Sequence, residues 1–190
     1  MAIEYKCKGS HIIQAREFID EKLGPGTFER FMKKYGTETT KIFLPGGWYE
    51  VDALNSMLQD VSKQLGRSVE DLVIEISRLN ARRDLTTIYR VFLRIAAPVR
   101  VLSFTPQLWR NYVAFGEANV LTNEPGHYVV ENSGIPTRLL DWACGASRGF
   151  LPAAVELAGG KNAKSSILQR GPDPSNPDLR RFQCEVFYTL

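Results

Sequence analysis

Residues 117–135 read EANVLTNEPGHYVVENSGI. Two runs that mix apolar and polar residues flank Asn123-Glu124-Pro125-Gly126. That pattern predicts a β-hairpin, because Pro and Gly supply the backbone angles of a tight turn. The next stretch, PTRLLDWACGASRGFLPAAVELAGG (136–160), predicts one long helix. Pro136 suits its first turn, Gly159-Gly160 suits its end, and Pro152 predicts a kink. The chain closes on KSSILQRGPDPSNPDLRRFQCEVFYTL (164–190), two strand-like runs around a turn dense in Gly, Pro, Asp and Asn. From Gly116 onward the prediction is therefore β-β-α-β-β.

Working back towards the N-terminus, the texture turns helical. Ile3 to Lys8 alternate and predict a short strand. Ser10 is placed to cap a helix that carries Ile12, Ala15, Phe18, Ile19 and Leu23. A second, short helix runs through Phe28, Phe31 and Met32. Pro45-Gly46-Gly47 predicts a turn, after which Trp48 and Tyr49 lead into a helix bearing Val51, Leu54, Met57, Leu58, Val61 and Leu65. Asp52 would lie in its first turn, where a carboxylate is favourable. Ser68 with Asp71 forms a loose capping box for a helix through Val69, Leu72, Val73, Ile76 and Leu79. A further helix is expected over 85–95. VRVLSF (99–104) fits strand or helix. Thr105-Pro106 then starts a helix through Leu108, Trp109, Tyr112 and Val113. The expected fold class is α+β. A mainly helical part (9–115) precedes a β-β-α-β-β part (116–190), in one domain with a four-stranded antiparallel sheet packed on helices.

Composition limits the function classes. The chain has 190 residues, 44% hydrophobic and 24% charged, an ordinary globular balance. No apolar run reaches the roughly 18 residues of a membrane helix, and the N-terminus lacks a signal-like apolar core. Three widely spaced cysteines with no CxxC predict reduced thiols in a cytoplasmic setting. Net charge is +3 but uneven. Ser77 to Gly116 holds seven arginines (Arg78, Arg82, Arg83, Arg90, Arg94, Arg100 and Arg110) and one acid, Asp84. All-arginine usage suits fork-shaped contacts to carboxylate or phosphate; pairing with acids elsewhere in the fold is the plainer expectation.

Catalytic patterns are missing. The two histidines, His11 at a predicted helix start and His127 in a hairpin turn, have no visible nucleophile partner, and an exposed or capping role is expected for both. HExxH, GxGxxG and P-loop patterns are absent. No enzyme activity is expected. Aromatic residues are more suggestive, and several fall near the junction of helices and sheet. Trp48, Tyr49, Phe92, Trp109, Tyr112 and Trp142 are the candidate walls of an apolar pocket. Arg90, Arg94 and Arg110 are the candidate contacts to an anionic head group.

Three quoted segments, KGSHIIQAREFIDEKLG, LPGGWYEVDALNSML and VFLRIAAPVRVLSFTPQLWRNYVAFGEANV, resemble a paralogous family of about this length from myxobacteria and their relatives. That likeness covers almost the whole chain and implies no activity. From about Trp109 on, the chain is also similar to the 4-vinyl-reductase ligand-binding domain. That domain shares a broader fold with haem-nitric-oxide-binding domains and small TRAPP subunits. The matching marks are Trp109, Tyr112 and Gly116, the helix CGASRGFLPAAVELAGG, and the closing Cys184-x-Val186-x-Tyr188. The resemblance implies an antiparallel four-stranded sheet packed on helices.

In vinyl-reductase-type sensors of aromatic compounds, cysteines and a glutamate around the final hairpin hold zinc. Carried over, Cys144 and Cys184 match two ligand positions, while the other two fall on Lys164 and Ile167. A cation and an aliphatic cannot ligate zinc, so Cys184 is expected to be a packed core residue with no metal. The Tyr-x-Ser-x-Arg signature of the haem branch is missing, and neither histidine is expected on a helix in an apolar surround. No cofactor is expected.

These readings converge on a non-catalytic small-molecule-binding or sensory module. It would take a small apolar or amphipathic ligand between helices and sheet and signal through a partner protein. The alternative is a homodimeric interaction scaffold of TRAPP-like fold without ligand. Nucleic-acid binding through the arginine-rich segment ranks below both, since the chain has no DNA-reading motif and a pI of only about 8.8.

Overall fold

The structure is a computed structural model that describes residues 5–35, 42–87 and 97–190. The chain opens with strand β1 (Lys6–Lys8) and helices α1 (Gly9–Leu23) and α2 (Thr27–Lys34). Strand β2 (Trp48–Glu50) runs directly into α3 (Val51–Leu65), followed by α4 (Val69–Thr87). After α4 come α5 (Pro98–Leu102) and α6 (Thr105–Tyr112). The remainder is β3 (Glu117–Glu124), β4 (His127–Pro136), a 3₁₀ turn (Thr137–Leu139), α7 (Leu140–Leu157), β5 (Lys161–Asp173) and β6 (Asn176–Thr189). Ser68 caps α4 as its spacing with Asp71 predicts: the Asp71 amide donates to Ser68 Oγ at 3.1 Å, and Ser68 Oγ donates to the Asp71 carboxylate at 2.7 Å.

The C-terminal part is the expected β-β-α-β-β unit. Its four strands form one antiparallel sheet in the order β3-β4-β6-β5. Phe182, Cys184, Val186 and Tyr188 alternate along β6 and are all buried, the period-2 signature of one covered face. Helix α7 ends in a Schellman motif. The Gly160 amide donates to the Val155 carbonyl and the Gly159 amide to the Glu156 carbonyl. Gly159 takes the left-handed angle (φ 94°) that this motif requires.

Two local expectations change and two are made specific. Trp48 and Tyr49 lead into the helix as a strand: Cys7 pairs with Tyr49 and Lys8 with Trp48. Pro136 closes β4, opposite Leu179 on β6, and does not open the helix. VRVLSF is mostly helical, as α5. Leu79 lies on the exposed side of α4 instead of in the core. The helix expected over 85–95 lies largely outside the described residues.

A continuous cluster of buried apolar residues runs from Cys7, Ile12 and Phe18 through Leu58 and Leu72 to Trp142, Phe182 and Val186. It spans both parts of the chain. Helices α4 and α7 cross closely because Gly145 and Gly149 present no side chain there. A Cβ on Gly145 would lie 2.7 Å from the Glu70 carbonyl oxygen, and one on Gly149 would lie 3.0 Å from Ser77 Cβ. Ion pairs clamp the edge of this crossing: Glu70 of α4 meets Arg148 of α7 at 2.7 Å and also Arg170 of β5.

Candidate ligand-binding site

Helices α1, α6 and α7 leave an apolar cleft of about 50 Å³ where they meet. His11 comes from α1; Leu108, Trp109 and Tyr112 from α6; Ala146, Ser147 and Phe150 from α7. The cleft therefore lies among helices rather than between helices and sheet. Strand β4 contributes only a polar layer behind it, where Ser147 Oγ donates to Asn132 Oδ1 at 3.4 Å and Asn132 Nδ2 is buried without a partner. The Trp109 indole N–H is consumed by the Phe115 carbonyl at 3.0 Å, so what Trp109 offers the cleft is its apolar ring.

His11 is the residue that sequence reasoning placed wrongly. It sits in the first turn of α1, 5% exposed, with its ring 5.6 Å from Tyr112 and 5.7 Å from Trp142. Asn80 Nδ2 lies 3.5 Å from His11 Nδ1. Burial pushes the imidazole pKa down to about 4, because low-dielectric surroundings penalise the charged form. The ring is neutral at pH 7 and is neither exposed nor a cap.

Beside the apolar cleft lies a second groove of about 310 Å³, lined by Lys8, Ser10, Pro45, Gly46, Asp84, Asn111 and Tyr112. Tyr112 lines both spaces. Asp84 reaches the groove from α4 and is 7% exposed. Burial pushes its carboxyl pKa up, and the hydroxyls of Tyr112 and Ser10 and the charge of Arg83 offset only part of that rise. Arg83, next in sequence, turns to Glu17 at 3.1 Å. The Lys8 ammonium donates to the Gly46 carbonyl at 2.7 Å and stands 4.0 Å over the Trp48 ring.

Of the candidate pocket walls, Trp109 and Tyr112 line the cleft. Trp142 stands behind it in the core, against His11 and Phe115. Trp48 and Tyr49 lie elsewhere because β2 carries them to the β1 edge. Trp48 is 40% exposed, and Tyr49 packs on Phe43 and accepts the Leu44 amide. Phe150 and Leu108 complete the wall. Phe92, Arg90 and Arg94 lie outside the described residues. Arg110 is exposed and borders a different, open groove with Trp48 and Glu117. Of the remaining arginines in that segment, Arg82 pairs with Glu156 at 3.5 Å and Arg83 with Glu17.

All three thiols are fully buried. Burial pushes Cys7, Cys144 and Cys184 up to about 12, so each is a protonated, packed thiol. Ile167 faces Cys184 across the β5–β6 ladder, and no group of three or more His, Cys, Asp or Glu able to hold a metal occurs among the described residues. No helix among them is long and apolar enough to cross a membrane.

Comparison with solved structures places this architecture in the fold of haem-nitric-oxide-binding (H-NOX) domains. The chain is similar to an H-NOX-family protein studied for the function of haem distortion, with a TM-score of 0.72 at 13% identity over 96% of this chain and 95% of that one. It is similar to an oxygen-binding H-NOX domain related to soluble guanylate cyclases, in its oxygen complex (TM-score 0.68, 12% identity, 96% and 95%). A mutant of T. tengcongensis H-NOX gives 0.70 at 13% identity over 96% and 98%. No family model matches the sequence, and no curated protein matches it. Likeness at this identity establishes the fold, an α+β unit of the H-NOX type.

The residues present do not fit a haem. A cleft of 50 Å³ has room for about four waters at ~10–15 Å³ each, and a porphyrin is many times larger. No charged side chain among the described residues lines the cleft to meet propionates.

Proposed function

We propose that the protein is a non-catalytic sensory module that binds a small, largely apolar molecule in the cleft between α1, α6 and α7 and passes the signal to a partner protein. The observation that carries this reading is the cleft itself. Aromatic walls are held open at the meeting of three helices, with neutral polar groups at the base, the usual build of a small-molecule site. A change at α7 has a direct route outward. Its Arg148 shares Glu70 with Arg170 of β5, so a shift of the helix would be felt at the sheet edge. Two features support a non-catalytic reading: the thiols are buried and protonated, and His11 is buried and neutral.

Native mass spectrometry of the purified protein, set against its denatured mass, tests this. A reproducible small added mass that is lost on denaturation is expected, and Ala146→Leu, which fills the cleft, should abolish it. A bare mass, together with no thermal shift from a panel of small apolar compounds, would overturn the reading. The same spectrum counts subunits. A scaffold role draws support from Leu121, Leu168 and Phe187, each about half exposed on β3, β5 and β6, and it predicts a dimer indifferent to any ligand.

A further inference from the structure

We propose that Ser147, backed by the buried amide of Asn132, is the polar anchor of the cleft, and that the ligand it takes is a small neutral carbonyl compound, such as a ketone, rather than a hydrocarbon or an ion. This rests on the cleft being a ligand site. Three observations carry it. First, other polar groups that line the cleft already have partners. The Thr105 hydroxyl donates to the Leu102 carbonyl at 2.7 Å, the Trp109 indole N–H donates to the Phe115 carbonyl, and His11 Nδ1 faces Asn80.

Second, Ser147 and Asn132 together are short of an acceptor. Ser147 lines the cleft, and both residues are buried, Asn132 completely. Serine brings an O–H donor and asparagine a pair of N–H donors. The bond between them engages only the O–H: Ser147 Oγ donates to Asn132 Oδ1 at a long 3.4 Å, while Asn132 Nδ2 is buried without a partner. A buried donor left unbonded is destabilising. A carbonyl oxygen in the cleft relieves this. The Ser147 O–H turns to it, and a half-turn of the amide lets Asn132 Nδ2 donate to Ser147 Oγ, so that the two bonds run in one direction and strengthen each other. A hydrocarbon supplies no acceptor. Third, no charged side chain among the described residues lines the cleft, so an ion would leave water without a counter-charge to meet it.

The test is an NMR titration of ¹⁵N-labelled protein, followed at the tryptophan indole N–H signals, with two probes of equal shape: acetone and 2-methylpropene, in which a CH₂ group replaces the carbonyl oxygen. Both are small enough for a space of about four waters. In a purely apolar cleft their affinities would stand in the ratio of their partition between water and cyclohexane. Acetone should exceed that ratio by about fivefold or more, the worth of one neutral hydrogen bond. Ser147→Ala should weaken acetone by about the same factor and leave 2-methylpropene unchanged. The wild-type ratio decides the matter even where that variant fails to fold. A wild-type ratio equal to the partition ratio overturns the anchor alone. So does an acetone advantage that survives Ser147→Ala, which would put the contact on another group. Binding of neither probe overturns both this proposal and the ligand-site reading beneath it.

Discussion

Gly149→Ala probes the close crossing of α4 and α7 on which the cleft depends. A methyl group at position 149 would run into the Ile74 carbonyl oxygen and come within 3.0 Å of both the Ile74 carbonyl carbon and Ser77 Cβ. Two of these obstacles are backbone, which cannot swing aside as a side-chain tip can. Overpacking of this kind costs about 1–3 kcal/mol, and the backbone obstruction puts it at the upper end. Against this, alanine in a helix interior is favoured over glycine by about 1 kcal/mol. The net expectation is a loss of about 2 kcal/mol. For a domain of this size that lowers Tm by roughly 4–8 °C, at ~2–4 °C per kcal/mol. Urea unfolding followed by circular dichroism, with a thermal scan, measures both. Gly171→Ala on β5 is the control, since nothing lies within 4 Å of its Cβ, and it should stay within about 0.5 kcal/mol of wild type. A Gly149→Ala protein as stable as the parent would refute the crossing, and the placement of Asn80 behind His11 with it.

Burial of His11 should show in the pH dependence of stability. The folded protein keeps its imidazole neutral down to about pH 4, while the unfolded chain protonates near 6.5. The unfolded state therefore binds the extra proton between those values. Stability from this group is complete above pH 6.5 and is lost as pH falls towards 4, by roughly 3 kcal/mol in all. His11→Phe should flatten that part of the urea-derived curve relative to wild type; parallel curves would contradict the burial. The thiols supply a separate check. Cys7, Cys144 and Cys184 should all resist an aromatic disulfide reagent in the native state at pH 8 and all react after unfolding in guanidinium. A thiol that titrates rapidly in the folded protein would show that the core is wrongly drawn at that position.

The C-terminal β-β-α-β-β unit was legible because its signals are local. Pro125-Gly126 and the Pro-Asp-Pro run make turns within a few residues, and Gly159-Gly160 stops a helix through bonds to residues three and five back. Strand β2 was not legible. Three residues cannot display a period, and their partners lie some 40 positions earlier, so only the tertiary fold decides that Trp48 and Tyr49 are extended. His11 was missed for a related reason. Burial in the first turn of α1 comes from α4, α6 and α7 together, none of them near in sequence. Asp84 did leave a signal. It is the single acid among seven arginines from Ser77 to Gly116, and a lone opposite charge in such a run is a candidate for a specific role. The spacing Gly145-x3-Gly149 likewise marks a close helix approach that positions the cleft.

The fold and the cleft speak to different questions. Architecture survives at 12–13% identity because it depends on patterns of burial and turns, which many sequences satisfy. What can enter the cleft depends on single side chains, and here those side chains leave little room. Trp109, Tyr112 and Phe150 reduce the space to about 50 Å³. His11 is held neutral, its ring turned to Asn80, and so brings no charge to a ligand. The adjoining groove carries one basic and one acidic side chain, Lys8 and Asp84. A molecule that enters the cleft must therefore be small and largely apolar, whatever group the same fold carries in its structural neighbours.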